Sequence, residues 1–126
     1  MDQNVRAALG RSGTIDITTL GRRTGEPRRI EIVFHALDGR IYISGAARAD
    51  RKRAWIYNLE AEPKFTFHLK GSAAADLPAH ARVITDDTER REIMRKIIDT
   101  SWHSADFETM VRHSPLIEVT FDSIAA

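Results

Sequence analysis

The residues with the greatest chemical potential lie in one stretch, Thr18-Thr19-Leu20-Gly21-Arg22-Arg23-Thr24-Gly25-Glu26-Pro27-Arg28-Arg29, where four arginines face a single acid, Glu26. Two glycines and a proline let the chain double back, which can leave backbone N–H groups pointing at one spot. Guanidinium forks aimed at the same spot suit a phosphate or a carboxylate. The chemistry this loop predicts is anion binding. A second basic window, Arg48 to Arg53, follows a candidate strand that ends in Ser44-Gly45, and the two windows hold eight of the 19 lysines and arginines. Strand pairing that brings both windows to one end of a barrel would set like charges together, and an anion between them resolves the repulsion. The formal net charge of +1 is by itself too small to imply a polyanionic partner.

Trp55 and Asn58 stand three apart, on one face of a candidate helix. Two readings are open for them: a core tryptophan with a surface or capping asparagine, or an aromatic plane and an amide bordering a flat heterocycle. Trp102 and His103 follow a second helix and are candidates for the mouth of a barrel. The five histidines, at 35, 68, 80, 103 and 113, show no metal-ligand spacing, so no metal is predicted. Glu31, beside the arginine loop, is expected to form a salt bridge with one of its arginines. The absence of cysteine excludes disulfides, thiolate sites and a cysteine nucleophile. No residue has the surroundings of a nucleophile or proton shuttle, and none is assigned as catalytic. An enzyme built this way would borrow its reactivity from a cofactor and supply position and field.

The elements that must position these residues follow from periodicity. Ile15 and Ile17 alternate with polar residues, as do Ile30, Ile32, Phe34 and Ala36, then Ile41 and Ile43, then Phe65, Phe67 and Leu69, then Ile117, Val119 and Phe121. Asp38-Gly39 is a hairpin signal. A weaker strand is expected from Ala81 to Ile84, with the Gly71–Asp76 stretch as a hairpin loop. One-sided strands in this number predict an antiparallel, closed or nearly closed barrel. Three helices are expected: 51 to 60 capped by Asp50, a longer one capped by Asp86 with Glu89 in the capping-box position, and 104 to 112. Its 126 residues form a single domain, 1–126. The start shows no apolar signal, and no stretch approaches 18 apolar residues, so a cytoplasmic protein without a membrane span is expected.

The stretch from Thr18 to Arg28, followed by Ile30-Glu31-Ile32-Val33-Phe34, resembles the first signature of the deazaflavin-dependent nitroreductase family. Ser44-Gly45 and Ala54-Trp55-Ile56-Tyr57-Asn58-Leu59-Glu60-Ala61-Glu62-Pro63 resemble its second, in the same order. The resemblance is good over residues 14 to 70 and fades through 80–126. It implies a mainly β fold with some α: a six-stranded antiparallel split β-barrel with two or three flanking helices, like that of pyridoxamine-phosphate-oxidase-like flavoproteins. It implies coenzyme F-420, an 8-hydroxy-5-deazaflavin with a phosphate and an oligoglutamate tail. Arg22, Arg23, Thr24 and Arg28 take the positions that hold the phosphate, and Ser44, Gly45, Trp55 and Asn58 lie near the cofactor. The function so implied is an oxidoreductase of nitroreductase or quinone-reductase type, passing hydride to a small electrophilic acceptor.

The chain departs from the family's pattern at Gly45-Ala46-Ala47, where members carry a lysine and a glycine pair; Arg48 or Lys52 is the substitute charge. Arg53 stands where a proline is common, and Trp102 and Tyr42 are the candidates for the aromatic residues that some members place over the substrate. One alternative keeps the fold and binds FMN through the same loop. Another is a non-catalytic carrier of a flavin, a tetrapyrrole or a lipid-like ligand. A nucleic-acid-binding barrel is disfavoured, because the strand faces lack interleaved aromatic residues. A homodimer is expected, with Val33 and Leu37 on the face of the longest strand that also carries Glu31 and His35.

Overall fold

The computed structural model describes residues 2–46, 53–71 and 73–122. The described elements are α1 (Gln3–Leu9), β1 (Gly13–Leu20), β2 (Pro27–Leu37), β3 (Arg40–Ser44), α2 (Ala54–Ala61), β4 (Lys64–Leu69), β5 (Ala75–Val83), α3 (Asp87–Thr100), α4 (Phe107–His113) and β6 (Leu116–Phe121). The six strands close into an antiparallel barrel in the order β1-β2-β3-β6-β5-β4, with β4 returning to β1. Closure leaves no sheet edge to be protected.

Alternation sets the register. Ile15 and Ile17 of β1 stand opposite Ile32 and Ile30 of β2, and Ile17 also faces Phe67 of β4. These side chains fill the barrel with Phe34, Ile43 and Ile117. Phe67 sits at its centre, edge-on to Phe34 at 5.4 Å and to Phe121 at 5.1 Å. At the β2–β3 hairpin, Asp38 (φ 51°) and Gly39 (φ 78°) take the two left-handed positions that a two-residue turn of this kind requires.

Helices stopper the barrel. Trp55, Ile56 and Leu59 of α2 and Val5 and Leu9 of α1 join the same core. The α1 helix was not expected from the sequence; Asp2 caps it, its carboxylate accepting from the Asn4 amide at 2.7 Å. Helix α2 starts at Ala54, with Arg53 at the N-cap and no side-chain cap, whereas the expected cap Asp50 lies outside the described residues. Asp86 does cap α3, accepting from the Glu89 amide at 2.9 Å, and Asp106 caps α4.

A second core lies outside the barrel. Leu37, Tyr42, Ile84 and Leu116 are buried under Ile93, Met94, Ile97 and Ile98 of α3 and Met110 and Val111 of α4. Three expectations change here. Leu37 and His35, placed on a dimer face, are covered by the chain's own helices, and Tyr42 belongs to this core instead of lying over a substrate. The fifth strand is longer than expected: Ala75 and Asp76 pair with Leu69 and His68, so the predicted loop is partly strand. Pro78, which brings no N–H to a ladder, disguises it in the sequence.

Candidate functional site

The arginine loop is the turn between β1 and β2. The Gly21 amide donates to the Glu26 carbonyl and the Gly25 amide to the Gly21 carbonyl, both at 2.8 Å. Gly25 has φ 73°, a left-handed conformation that favours glycine, and a Cβ on Gly21 would lie 3.1 Å from the Thr24 hydroxyl, closer than an ordinary contact. A buried side chain holds the loop to the helix below. Asn58 accepts the Arg22 amide at 3.1 Å through Oδ1 and donates from Nδ2 to the buried Thr19 hydroxyl at 3.3 Å. Neither of the two open readings of Asn58 included this anchor. Its sequence signal is a polar residue three positions from a buried tryptophan.

Gly21, Arg22, Arg23, Thr24, Arg28, Ile30, Ala54, Trp55 and Asn58 together line a cavity of about 440 Å³. It unites six of the eight residues singled out from the sequence. Its charges are poorly compensated. Arg22 lies over the Tyr57 ring, 5.2 Å from its centroid. Arg28 approaches Glu26 at 3.7 Å with both side chains exposed, a contact of little strength. For Arg22 and Arg23 no carboxylate partner exists among the described residues. Arg29 is different: it turns to the outer face and donates to Asp16 at 2.9 Å. Lys70 bridges Asp16 and Glu31 there, at 2.8 and 2.7 Å. Glu31 therefore pairs with Lys70 and not with a loop arginine. The Lys70 ammonium and the Arg29 guanidinium hold the Asp16 carboxyl below its ordinary pKa.

The remaining two residues, Ser44 and Gly45, line an adjoining groove of about 460 Å³ along β2, which shares Ile30 and Trp55 with the arginine cavity. Thr14, Glu31, Ile32, Val33, Ala46, Arg53 and Trp102 complete its walls. The Ser44 hydroxyl donates to the Pro115 carbonyl at 2.7 Å, so its proton is committed within the protein. A Cβ on Gly45 would meet Arg53 Nη1 at 3.2 Å and Ile32 Cδ1 and Pro115 Cγ at 3.4 Å. Arg53 donates to the Ala46 carbonyl at 2.8 Å and brings one cation of the second basic window to this groove. Arg48 and Lys52, the candidate tail-binding charges, lie outside the described residues.

Trp102 stands edge-on to His35, their ring centroids 4.7 Å apart. His35 is buried without a hydrogen-bond partner on either ring nitrogen, and desolvation depresses its pKa to about 4. It is neutral at pH 7 and acts on Trp102 by ring contact. This support was not legible in the sequence.

A family model described as F420H(2)-dependent quinone reductase matches residues 3–120. The chain belongs to this family. The reductase is thus a deazaflavin-dependent oxidoreductase. Among solved structures it is similar to a conserved hypothetical protein from Mycobacterium tuberculosis, with TM-score 0.73 and 16% identity over 97% of this chain and 81% of that one. An F420-H2 dependent reductase (FDR-A) matches at TM-score 0.61 and 19% identity, over 85% of this chain and 93% of the other. The heme storage protein HutZ of Vibrio cholerae matches at 0.70 and 11%, over 97% and 90%. At these identities the likeness is one of fold.

Proposed function

We propose that the reductase holds coenzyme F-420 with its phosphate at the arginine cavity, bound by Arg22, Arg23, Thr24 and Arg28, and with its ring system in the adjoining groove beside Ser44, Gly45 and Trp55. The observation that carries this reading is the set of three guanidiniums, without strong carboxylate partners, around one cavity that opens past a tryptophan into a second. Their charge favours an anion there, and each charge-assisted hydrogen bond to a phosphate contributes about 1.5–3 kcal/mol. Asn58 acts beneath them by fixing the Arg22 backbone.

When bound, the deazaflavin supplies hydride to an electrophilic acceptor. The protein's part is positional. Trp55 and Ile30 form the shared wall that joins the phosphate end to the ring end. Gly45 keeps the wall open where a Cβ would lie 3.2 Å from the Arg53 guanidinium. The acceptors that fit are quinones, activated alkenes and nitroaromatics. A homodimer is part of the proposal, now supported by the exposed Leu20 and Tyr57 at the arginine loop instead of by Leu37. Sedimentation of the purified protein checks it.

The deciding experiment titrates the protein with F-420 and, in parallel, with FMN, following cofactor fluorescence. We expect F-420 to bind and Arg28→Ala to weaken it about tenfold, the equivalent of about 1.4 kcal/mol. Unchanged affinity in the variant, or preference for FMN, refutes the assignment.

A further inference from the structure

The end of the barrel away from the arginine loop holds a separate cavity of about 570 Å³, where α1, the β2–β3 hairpin and the end of β6 meet. Arg28 lines the arginine cavity and Ala36 this one, and both lie on β2. At a strand rise of about 3.3 Å per residue they stand about 26 Å apart. Part of the lining is apolar: Leu9 is buried, and Ile41 and Phe121 pack partly buried against the barrel core. Two guanidiniums face the same space, Arg6 from α1 and Arg40 from β3. Asp38 is the one carboxylate in the lining.

The cavity's charges do not cancel. Asp38 is neutralised from outside the lining: the Lys96 ammonium donates to it at 2.8 Å and holds its carboxyl below the ordinary pKa. Arg40 reaches Glu118 only at 3.4 Å, and that carboxylate already accepts from Arg82 at 3.0 Å, so one negative charge serves two cations. Arg6 is exposed and has no carboxylate partner among the described residues. Water solvates a lone surface arginine at little cost. Two of them, brought from different elements to one cavity with an apolar wall, make an amphipathic surface of positive sign.

We propose that this cavity is a second ligand site, and that it binds a small amphipathic carboxylate with its head between Arg6 and Arg40 and its apolar body against Leu9, Ile41 and Phe121. Guanidinium forks match a carboxylate in both charge and geometry. A fully hydrated anion would leave the apolar wall wet, and a neutral apolar molecule would leave both cations unused. A cation is repelled. The volume lies within the range of small-molecule pockets. No lining residue is shared with the arginine cavity or the groove, so the site stands whether or not the cofactor lies where proposed.

The test follows backbone amide shifts of the isotope-labelled protein during titration with 2-naphthoate, and with 2-naphthalenemethanol as its uncharged counterpart. We expect saturable shifts at Gly10, Gly39 and Ile41, and binding of the alcohol at least about tenfold weaker. Arg6→Ala and Arg40→Ala should each weaken naphthoate about three- to tenfold. Arg6→Ala loses no ion pair and should keep the wild-type spectrum elsewhere, so it decides the matter even if Arg40→Ala is destabilised. Three results overturn the proposal: no saturable shift at these amides, shifts confined to the arginine loop at Gly21 and Gly25, or equal affinity for the alcohol and the acid. Naphthoate affinity unchanged in Arg6→Ala overturns it as well.

Discussion

At the residue scale, an arginine that lines the cavity and one that does not are neighbours in the chain. Arg28 faces the cavity and Arg29 the outer polar network, because successive strand residues point to opposite faces. Asn58 is the residue on which the cavity's form depends most. Both ends of its amide bond inside the protein, to Arg22 and Thr19. Asn58→Ala would leave the Thr19 hydroxyl and the Arg22 amide without these partners, at a cost of about 1–3 kcal/mol. We expect denaturant unfolding to show that loss, and F-420 affinity to fall with it although no cofactor contact through the amide is invoked. Stability equal to wild type would show that the anchor is dispensable.

At the scale of elements, α1 shows how a helix can be structurally necessary and nearly silent in sequence. Seven residues with only Val5 and Leu9 buried give too short a pattern for periodicity to announce. Its role comes from where it docks, with Leu9 among the side chains that plug the barrel core. Leu9→Ala should destabilise the protein by about 2–4 kcal/mol in chemical denaturation, as for other buried leucines. A cost below about 0.5 kcal/mol would make α1 an ornament. By contrast, α3 was legible: a 14-residue stretch with an acidic cap and a four-residue apolar stripe announces itself. The stripe could not say what it covers. Only the fold shows Ile93, Met94, Ile97 and Ile98 closing over Leu37 and Tyr42.

At the scale of the whole molecule, two cores share the wall made of β2, β3 and β6, and His35 is buried in that wall against Trp102. Its folded pKa of about 4 lies below the unfolded value of about 6.5. Between these values the unfolded chain binds the proton and the folded chain does not, so stability falls as pH drops from about 6.5 to 4. The full effect amounts to about 3 kcal/mol. Melting temperature should decline through this window, and His35→Phe should flatten the decline. An equally steep decline in the variant would show that His35 does not carry it; carboxylates such as Asp16 and Glu89, whose pKa values are lowered, act at still lower pH.

The sequence by itself determined the strand count, the hairpin at Asp38-Gly39 and the cap of α3, and marked the arginine loop as a candidate anion site, because each is a local pattern: alternation, turn chemistry, capping, charge density. Tertiary structure alone decided that Trp55 and Arg28 border the same cavity, that Asn58 is an anchor, that Glu31 belongs to Lys70, and that Arg6 and Arg40 border one cavity. These are meetings between residues distant in the chain, and which partners meet is set by barrel closure and helix docking, for which no local pattern carries a signal.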